Sequence, residues 1–351
     1  MITTDKAVFE PAPGNAVAED VASYNLIRLF ATLSVIVVHV ATPTVGQYDP
    51  STELNWWVGN FYQSVFRSGI PLFLMLTGAL LLPRAEGFVF IKNRVIRVLL
   101  PFCFWVFVYL LAKNYIRDLS LEDYFIALYE GNSYHFWYVY LILSIYFLMP
   151  LLRLVLQWLK PTLVQVLAFT CIISLSLKLL PDDNTNIRYL LNYAIYLAYI
   201  VFGYYAAKFE DVQWLNNCQI GMLLIFLGFG ITFFGSYYVS ASSGHHSDLL
   251  YQSSMVHIFL KGLGVWIILK RMVKYIPDRW LKHLKAMSKL SFGVFLIHPL
   301  VIDHILIVRL GISHNLLHPA FGIFLTSTMC FVFSFVIIYL LSKLPLGKYT
   351  Y

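Results

Sequence analysis

An all-α polytopic membrane protein with about ten spanning helices is the fold this sequence predicts. Three observations predict it. Charged residues make up 12% of the 351-residue chain and apolar ones 59%, whereas a soluble domain carries about 25% charged residues. So little charge cannot coat a globule of this length. The apolar residues fall in blocks of the size that crosses a bilayer, about 20 residues. Within the blocks there is no apolar–polar alternation of the kind that a barrel strand of about 10 residues needs. Together these exclude a soluble enzyme, a disordered chain and a nucleic-acid binder.

The blocks run over 25–43, 62–82, 98–116, 136–157, 162–180, 189–207, 219–239, 255–271, 288–309 and 319–342. The polar stretch 1–23 contains PAPG and only one basic residue, Lys6, so it reads as a disordered cytoplasmic tail rather than a signal peptide. Residues 24–345 form the membrane domain and 346–351 a C-terminal cytoplasmic tail. The longest outer segments, 44–61 and 117–135, read as short caps. Orientation follows the Lys/Arg bias. With the N-terminus inside, the inner loops hold Arg84, Lys92, Arg94, Arg97 and the basic run from Lys270 to Lys289. The outer side holds only Lys113, Arg117, Lys178, Arg188 and Arg309. Both termini are therefore expected inside. This bias also accounts for the net charge of +7 without an anionic partner. The four cysteines, Cys103, Cys171, Cys218 and Cys330, are isolated and form no CxxC pair, so no zinc site or disulfide framework is indicated. No metal site is expected.

Ionisable side chains inside a span cost about 2.5–3.5 kcal/mol on insertion scales, and each is a candidate site residue. The first block carries Arg28 and His39. Eleven residues at 100° each bring them within about 20° of one face, about 16 Å apart along the axis. The plainer alternative is a snorkelling Arg and an interior hydrogen-bonded His. Arg94 and Arg97, in IKNRVIRVLLP, share a face at the inner mouth of the third block. Arginine binds phosphate in bidentate fashion, but topological anchoring also explains such a pair. Arg67, in RSGIPLFLMLTGALL, opens the second block from outside, and Pro71 breaks its early helix. His135, Trp137 and Tyr138 crowd the outer end of the fourth block, where an aromatic belt is also expected. His298, Asp303 and His304 lie in LSFGVFLIHPLVIDH, where Pro299 kinks the helix. Lys261 needs an anionic partner or a route to the surface. His245 and His246 read as solvated loop residues. No Walker loop, GxSxG or HExxH motif is present.

In this order and spacing the motifs NLIRLFATLSVIVVH, RSGIPLFLMLTG, Arg94-x-x-Arg97, YHFWYVYLILSIYFLMPLL and MSKLSFGVFLIHPLVIDH resemble the acyltransferase-3 family of membrane acyltransferases. The RSGIPLF and YHFWY blocks look most like the branch holding the enterobacterial common antigen O-acetyltransferase. A succinyltransferase-like branch is close. The resemblance implies an O-acyltransferase of the bacterial cytoplasmic (inner) membrane. Its donor would be cytoplasmic acyl-CoA, typically acetyl-CoA, and its acceptor a hydroxyl of a surface polysaccharide or its lipid-linked precursor. It implies that His39 is the essential first-span histidine, Arg28 its partner, and Arg94 and Arg97 the pair that handles acyl-CoA. The residues fit that chemistry. Cationic Arg28, Arg94 and Arg97 suit phosphates, and a neutral His39 suits a general base. A covalent acyl-imidazole through His39 is the less favoured route. Arg67 and His298 are candidates for oxyanion stabilisation, and Arg67, His135, Trp137 and His298 for substrate binding. The rival readings are a transporter or flippase of a polysaccharide precursor and a non-catalytic accessory of a polysaccharide synthase.

Overall fold

The computed structural model describes residues 14–46, 53–84, 88–114, 135–159, 162, 165–166, 169–170, 173, 185–208, 212–345 and 347–351. Ten α-helices organise them: α1 (Gly14–Val45), α2 (Glu53–Phe66), α3 (Gly69–Leu81), α4 (Phe88–Asn114), α5 (Trp137–Leu159), α6 (Thr185–Lys208), α7 (Cys218–Ser243), α8 (Val256–Met272), α9 (Asp278–Leu300) and α10 (Pro319–Ser342). No strand occurs among the described residues. Eight helical stretches there are long and apolar enough to cross a membrane. Large apolar side chains such as Phe107, Phe147, Phe226, Phe234 and Phe324 point outward from them, as in a helix whose surroundings are lipid rather than water. This is a membrane protein. Most of the predicted fifth block, 162–180, lies outside the described residues. So do the first 13 residues of the predicted tail and residues 117–134 of the predicted outer cap.

The predicted second block begins earlier than position 62. Helix α2 already starts at Glu53, so 53–61 is helix and not part of a cap. The helical stretch Leu54–Leu81 is interrupted at Arg67 and Ser68, between α2 and α3. Pro71 supplies the reason. It has no N–H to give the carbonyl of Arg67 four residues back, and its ring crowds that carbonyl. Arg67 therefore sits at an internal break and not at the opening of a span.

Helix ends follow local chemistry. Asn217 caps α7, its side chain accepting from the amides of Gln219 and Ile220, and Gly244 ends that helix at φ 71°, a left-handed conformation open to glycine. His318 caps α10 by accepting from the Ala320 amide, with Pro319 in the first turn.

Helix α1 is the hub, packed against α2, α3, α8, α9 and α10. Small residues let other helices meet closely. A Cβ on Gly78 of α3 would fall on the backbone of Ile200 in α6, and a Cβ on Gly203 of α6 on the backbone of Met75. The last residues do not trail away as a tail. Thr350 is buried, its carbonyl accepts from Trp105 Nε1 at 3.0 Å, and it lies where a Cβ on Gly293 would be.

Candidate active site

The common face of Arg28 and His39 is the face that α9 covers. Arg28 Nη1 donates to Ser288 Oγ at 2.9 Å, and the His39 ring lies 5.2 Å, centroid to centroid, from that of His298. The α9 partners are spaced almost as the α1 residues are, so the two helices run parallel. Both pairs sit about 16 Å apart along the same axis.

His298 is completely buried, and the residue after it decides its chemistry. Pro299 cannot donate to the carbonyl of Phe295, and His298 Nδ1 stands 2.7 Å from that oxygen instead. A carbonyl only accepts, so Nδ1 carries the proton and Nε2 keeps its lone pair. That Nε2 is buried and has no hydrogen-bond partner among the described residues. The next carbonyl, Leu296, accepts from Tyr109 Oη at 3.0 Å and from His135 Nε2 at 3.2 Å. The His135 ring lies 5.1 Å from that of His298. Three histidines, from α1, α9 and the turn just before α5, thus stand in a row with His298 in the middle. Beyond Leu300 the helix widens into a π-helix, Val301–Arg309, a form found mostly at functional sites. On α1 the same device recurs: Pro43 removes the amide that would bond the carbonyl of His39.

Arg67 is held by three groups. Its Nε donates to the Tyr251 carbonyl at 2.7 Å, its Nη1 to Gln63 Oε1 at 2.8 Å, and its guanidinium lies 5.4 Å from the Tyr251 ring centre. Gln63 in turn donates to the Val38 carbonyl at 2.9 Å and to Thr42 Oγ1 at 3.0 Å. The cation is therefore tied to the turn of α1 that carries His39. His246, expected to be solvated, has a side chain only 12% exposed. It bonds Asp248 Oδ1 at 2.9 Å and stacks on Tyr251. That hydrogen bond, with Arg67 nearby, holds the Asp248 carboxyl below its ordinary value. His245 is exposed, as expected.

The other predicted residues separate into groups. Arg94 is half-buried and within electrostatic reach of Arg28, as are Tyr146 and Tyr138. Arg97, one turn on, is exposed. Trp137 lies at the rim of a cavity and Tyr138 is buried beside it. Lys261, buried to 1% exposure, finds a backbone carbonyl and not an anion: its Nζ donates to Ser64 O at 2.6 Å. Ser64 Oγ and Tyr251 Oη both donate to Asn60 Oδ1, so Lys261 belongs to the packing between α2 and α8. His304 is half-buried.

A cavity of about 360 Å³ opens along α1 at Ser34, Val35, Val38 and His39, with Arg67, His135, Tyr196 and Tyr251 on its other walls. A second, of about 630 Å³, also reaches His39 and Arg67. Both fall in the size range of ligand sites. Sequence reasoning missed Gln63, Ser288 and Tyr251. No local signal marks them, for each acts on a residue in another helix, and Tyr251 is one of 24 tyrosines. Among the described residues, no group of three or more His, Cys, Asp or Glu side chains is placed to hold a metal ion.

A family model described as an acyltransferase domain matches residues 21–343. No curated protein and no solved structure matches the chain.

Proposed function

Because the chain belongs to the acyltransferase-3 family, an acyltransferase family, we propose that it is a membrane O-acyltransferase with His39 as general base. Its donor is cytoplasmic acyl-CoA, most simply acetyl-CoA. Its acceptor is a hydroxyl of a surface polysaccharide or its lipid-linked precursor, as in the branch of the enterobacterial common antigen enzyme. The protein sits in a bacterial inner membrane with ten spans and both termini inside. The observation that carries this reading is His39 at the wall of a cavity that also reaches Arg67, with the buried His298 ring packed behind it.

In this scheme Arg28 and Arg94 receive CoA phosphates at the inner end, with Arg97 at its edge, and the pantetheine arm runs outward along α1. The arm is long enough to cover the separation of Arg28 and His39, about 16 Å. His39 takes the proton of the acceptor hydroxyl as the oxygen attacks the thioester carbon. Arg67 faces the negative charge that develops on the carbonyl oxygen. The C–S bond then breaks, the thiolate leaves, and the proton on His39 goes to it. One ester forms, one thioester is lost, and no net proton is released. His298 stands beside His39 with its Nε2 open, ready to accept a hydrogen bond from the imidazolium that forms when His39 takes the proton. This fixes which His39 nitrogen meets the substrate. His135 supports His298 from behind.

The test is free-thiol release from acetyl-CoA by purified protein in detergent, with and without a glycan extract of the source cells. Wild-type turnover that the extract stimulates supports the reading. No acetyl-CoA binding would overturn it. Arg28→Ala is expected to raise the KM for acetyl-CoA about 10- to 100-fold, the worth of a hydrogen bond to a charged group, with the acceptor KM little changed. An equal loss for both ligands would place Arg28 in folding rather than in donor binding. Pro299→Ala gives the Phe295 carbonyl an amide donor that competes with His298 Nδ1. It is expected to lower kcat several-fold with both KM values unchanged. An unaltered kcat would remove His298 from the scheme.

A further inference from the structure

A hydroxyl inside a spanning helix has a ready acceptor in the carbonyl four residues back. In α1 Thr32 donates so to Arg28 at 2.9 Å and Thr42 to Val38 at 2.8 Å, and in α3 Thr77 donates to Phe73 at 2.9 Å. Ser34 does not. It is completely buried, and among the described residues its Oγ makes no hydrogen bond. A buried hydroxyl left in that way costs about 1–3 kcal/mol. Ser34 lies in the wall of the 360 Å³ cavity together with Val35, Val38 and His39. At 100° per residue these four span one continuous arc of about 140° on α1, so the hydroxyl and the imidazole border the same space.

Helix α3 starts against the same stretch of α1. A Cβ on Gly69, its first residue, would lie 3.0 Å from the Ala31 carbonyl oxygen, 3.0 Å from Val35 Cγ2 and 3.3 Å from Ser34 Cβ. Only a residue without a side chain lets the end of α3 come this close. Gly69 and Ile70 both line the cavity. Their amides precede the first intrahelical bond of α3, from Leu72 to the Ser68 carbonyl at 3.1 Å, and so have no acceptor within that helix. Pro71 has no amide to offer, and Ser68, at the N-cap, makes no side-chain cap bond. The positive end of the α3 dipole therefore stands at the cavity wall, beside Ser34. Arg67 adds a full charge from the break just before it. Its Nε and Nη1 are committed to Tyr251 and Gln63, and Nη2 takes no part in either bond.

We propose that Ser34 is a catalytic residue: its hydroxyl, with the N-terminal end of α3 beside it, joins Arg67 in forming the oxyanion site. This rests on the acyltransferase reading above and deepens it. As the acceptor oxygen attacks the thioester carbon, the carbonyl π pair moves onto oxygen and a tetrahedral oxyanion forms. Ser34 donates a hydrogen bond to that oxygen and keeps its proton. When the pair returns, the C–S bond breaks, and the leaving thiolate takes the proton that His39 holds. A thioester carbonyl is a weak acceptor and an oxyanion a strong one, so the bond strengthens in the transition state. A hydroxyl already buried and uncommitted needs no reorganisation to meet that charge.

The experiment compares purified wild type, Ser34→Ala and Ser327→Ala in detergent. Ser327 is the control. It is also buried, with an Oγ that makes no hydrogen bond among the described residues, but it lies in α10 and borders neither cavity at His39. Thiol release from acetyl-CoA in a single turnover, with a saturating glycan extract of the source cells, reads the chemical step. Equilibrium dialysis reads acetyl-CoA binding. Ser34→Ala is expected to lower the rate about 100-fold, the loss that follows removal of one oxyanion donor. Acetyl-CoA binding and the half-saturating amount of extract stay within threefold of the wild type, and retained binding also reports a folded protein. Ser327→Ala keeps the wild-type rate. A fall of less than tenfold in Ser34→Ala would overturn the proposal. So would an equal fall in Ser327→Ala, which marks a general loss of packing, or weakened binding of either substrate in Ser34→Ala, which places the hydroxyl in binding or folding. Absence of turnover by the wild type would instead overturn the acyltransferase reading itself.

Discussion

His39→Ala is expected to lower acyl transfer by roughly 10²- to 10⁴-fold, the usual worth of a positioned general base, with acetyl-CoA binding retained. The reasoning starts from a hydroxyl, which is a poor nucleophile until its proton is removed. His39 stands at the wall shared by both cavities, and no other histidine lines both. His135 reaches the first cavity and His314 the second, and neither reaches the wall that they share. The substitution removes an imidazole from a helix whose packing rests on neighbours such as Ile36, Val37 and Val40, all buried. The fold should therefore survive. Rates of thiol release and of glycan acylation, measured beside acetyl-CoA binding, check this. Acylation within threefold of the wild type would remove His39 as the base. Loss of donor binding along with activity would point to a structural role.

Gly78→Leu is expected to abolish folded protein. The close approach of α3 and α6 rests on Gly78 against Ile200 and Gly203 against Met75, and in each case an added Cβ would meet backbone, which cannot rotate away. Overpacking by added methylenes in a tight core typically costs about 1–3 kcal/mol. Four extra carbons against a main chain should exceed that, because the helices must part along their whole contact. Separation also moves Gly69, whose Cβ position lies 3.0 Å from the Ala31 carbonyl, and with it the α2–α3 break that holds Arg67. Gly230→Ala in α7 is the control, since a Cβ there meets nothing within 4 Å. Size-exclusion profiles and thermal melts in detergent distinguish the two. A monodisperse Gly78→Leu protein melting with the wild type would show that the contact is not needed.

Much of the site could be read from the chain because its elements are local. A spanning helix has a fixed rotation per residue, so the Arg28–His39 face follows from counting. The depth of a charge in an apolar block is likewise a sequence property. That is why His39, Arg67, His298 and Asp303 stood out. Other expectations required distant contacts and were revised. Lys261 found the Ser64 carbonyl and no anion. His246 is enclosed by Asp248 and Tyr251. Thr350 is buried against Trp105. In each case the partner lies far away in the sequence or in a loop whose path no periodicity constrains.

The amino-acid sequence by itself determined that this is an all-helical membrane protein and which polar side chains sit at membrane depth. Composition and block length decide the first, because apolar surface of that extent is stable only against lipid or itself. Helical rise and rotation decide the second. Tertiary structure alone decided which of those side chains meet. Parallel packing of α9 on α1 pairs His298 with His39, and Pro299 hands the Phe295 carbonyl to His298 so that its Nε2 stays open. The α2–α3 break aims Arg67 at the same point. These depend on contacts between residues far apart in the chain, whose geometry is set by how whole helices interlock and not by any local pattern.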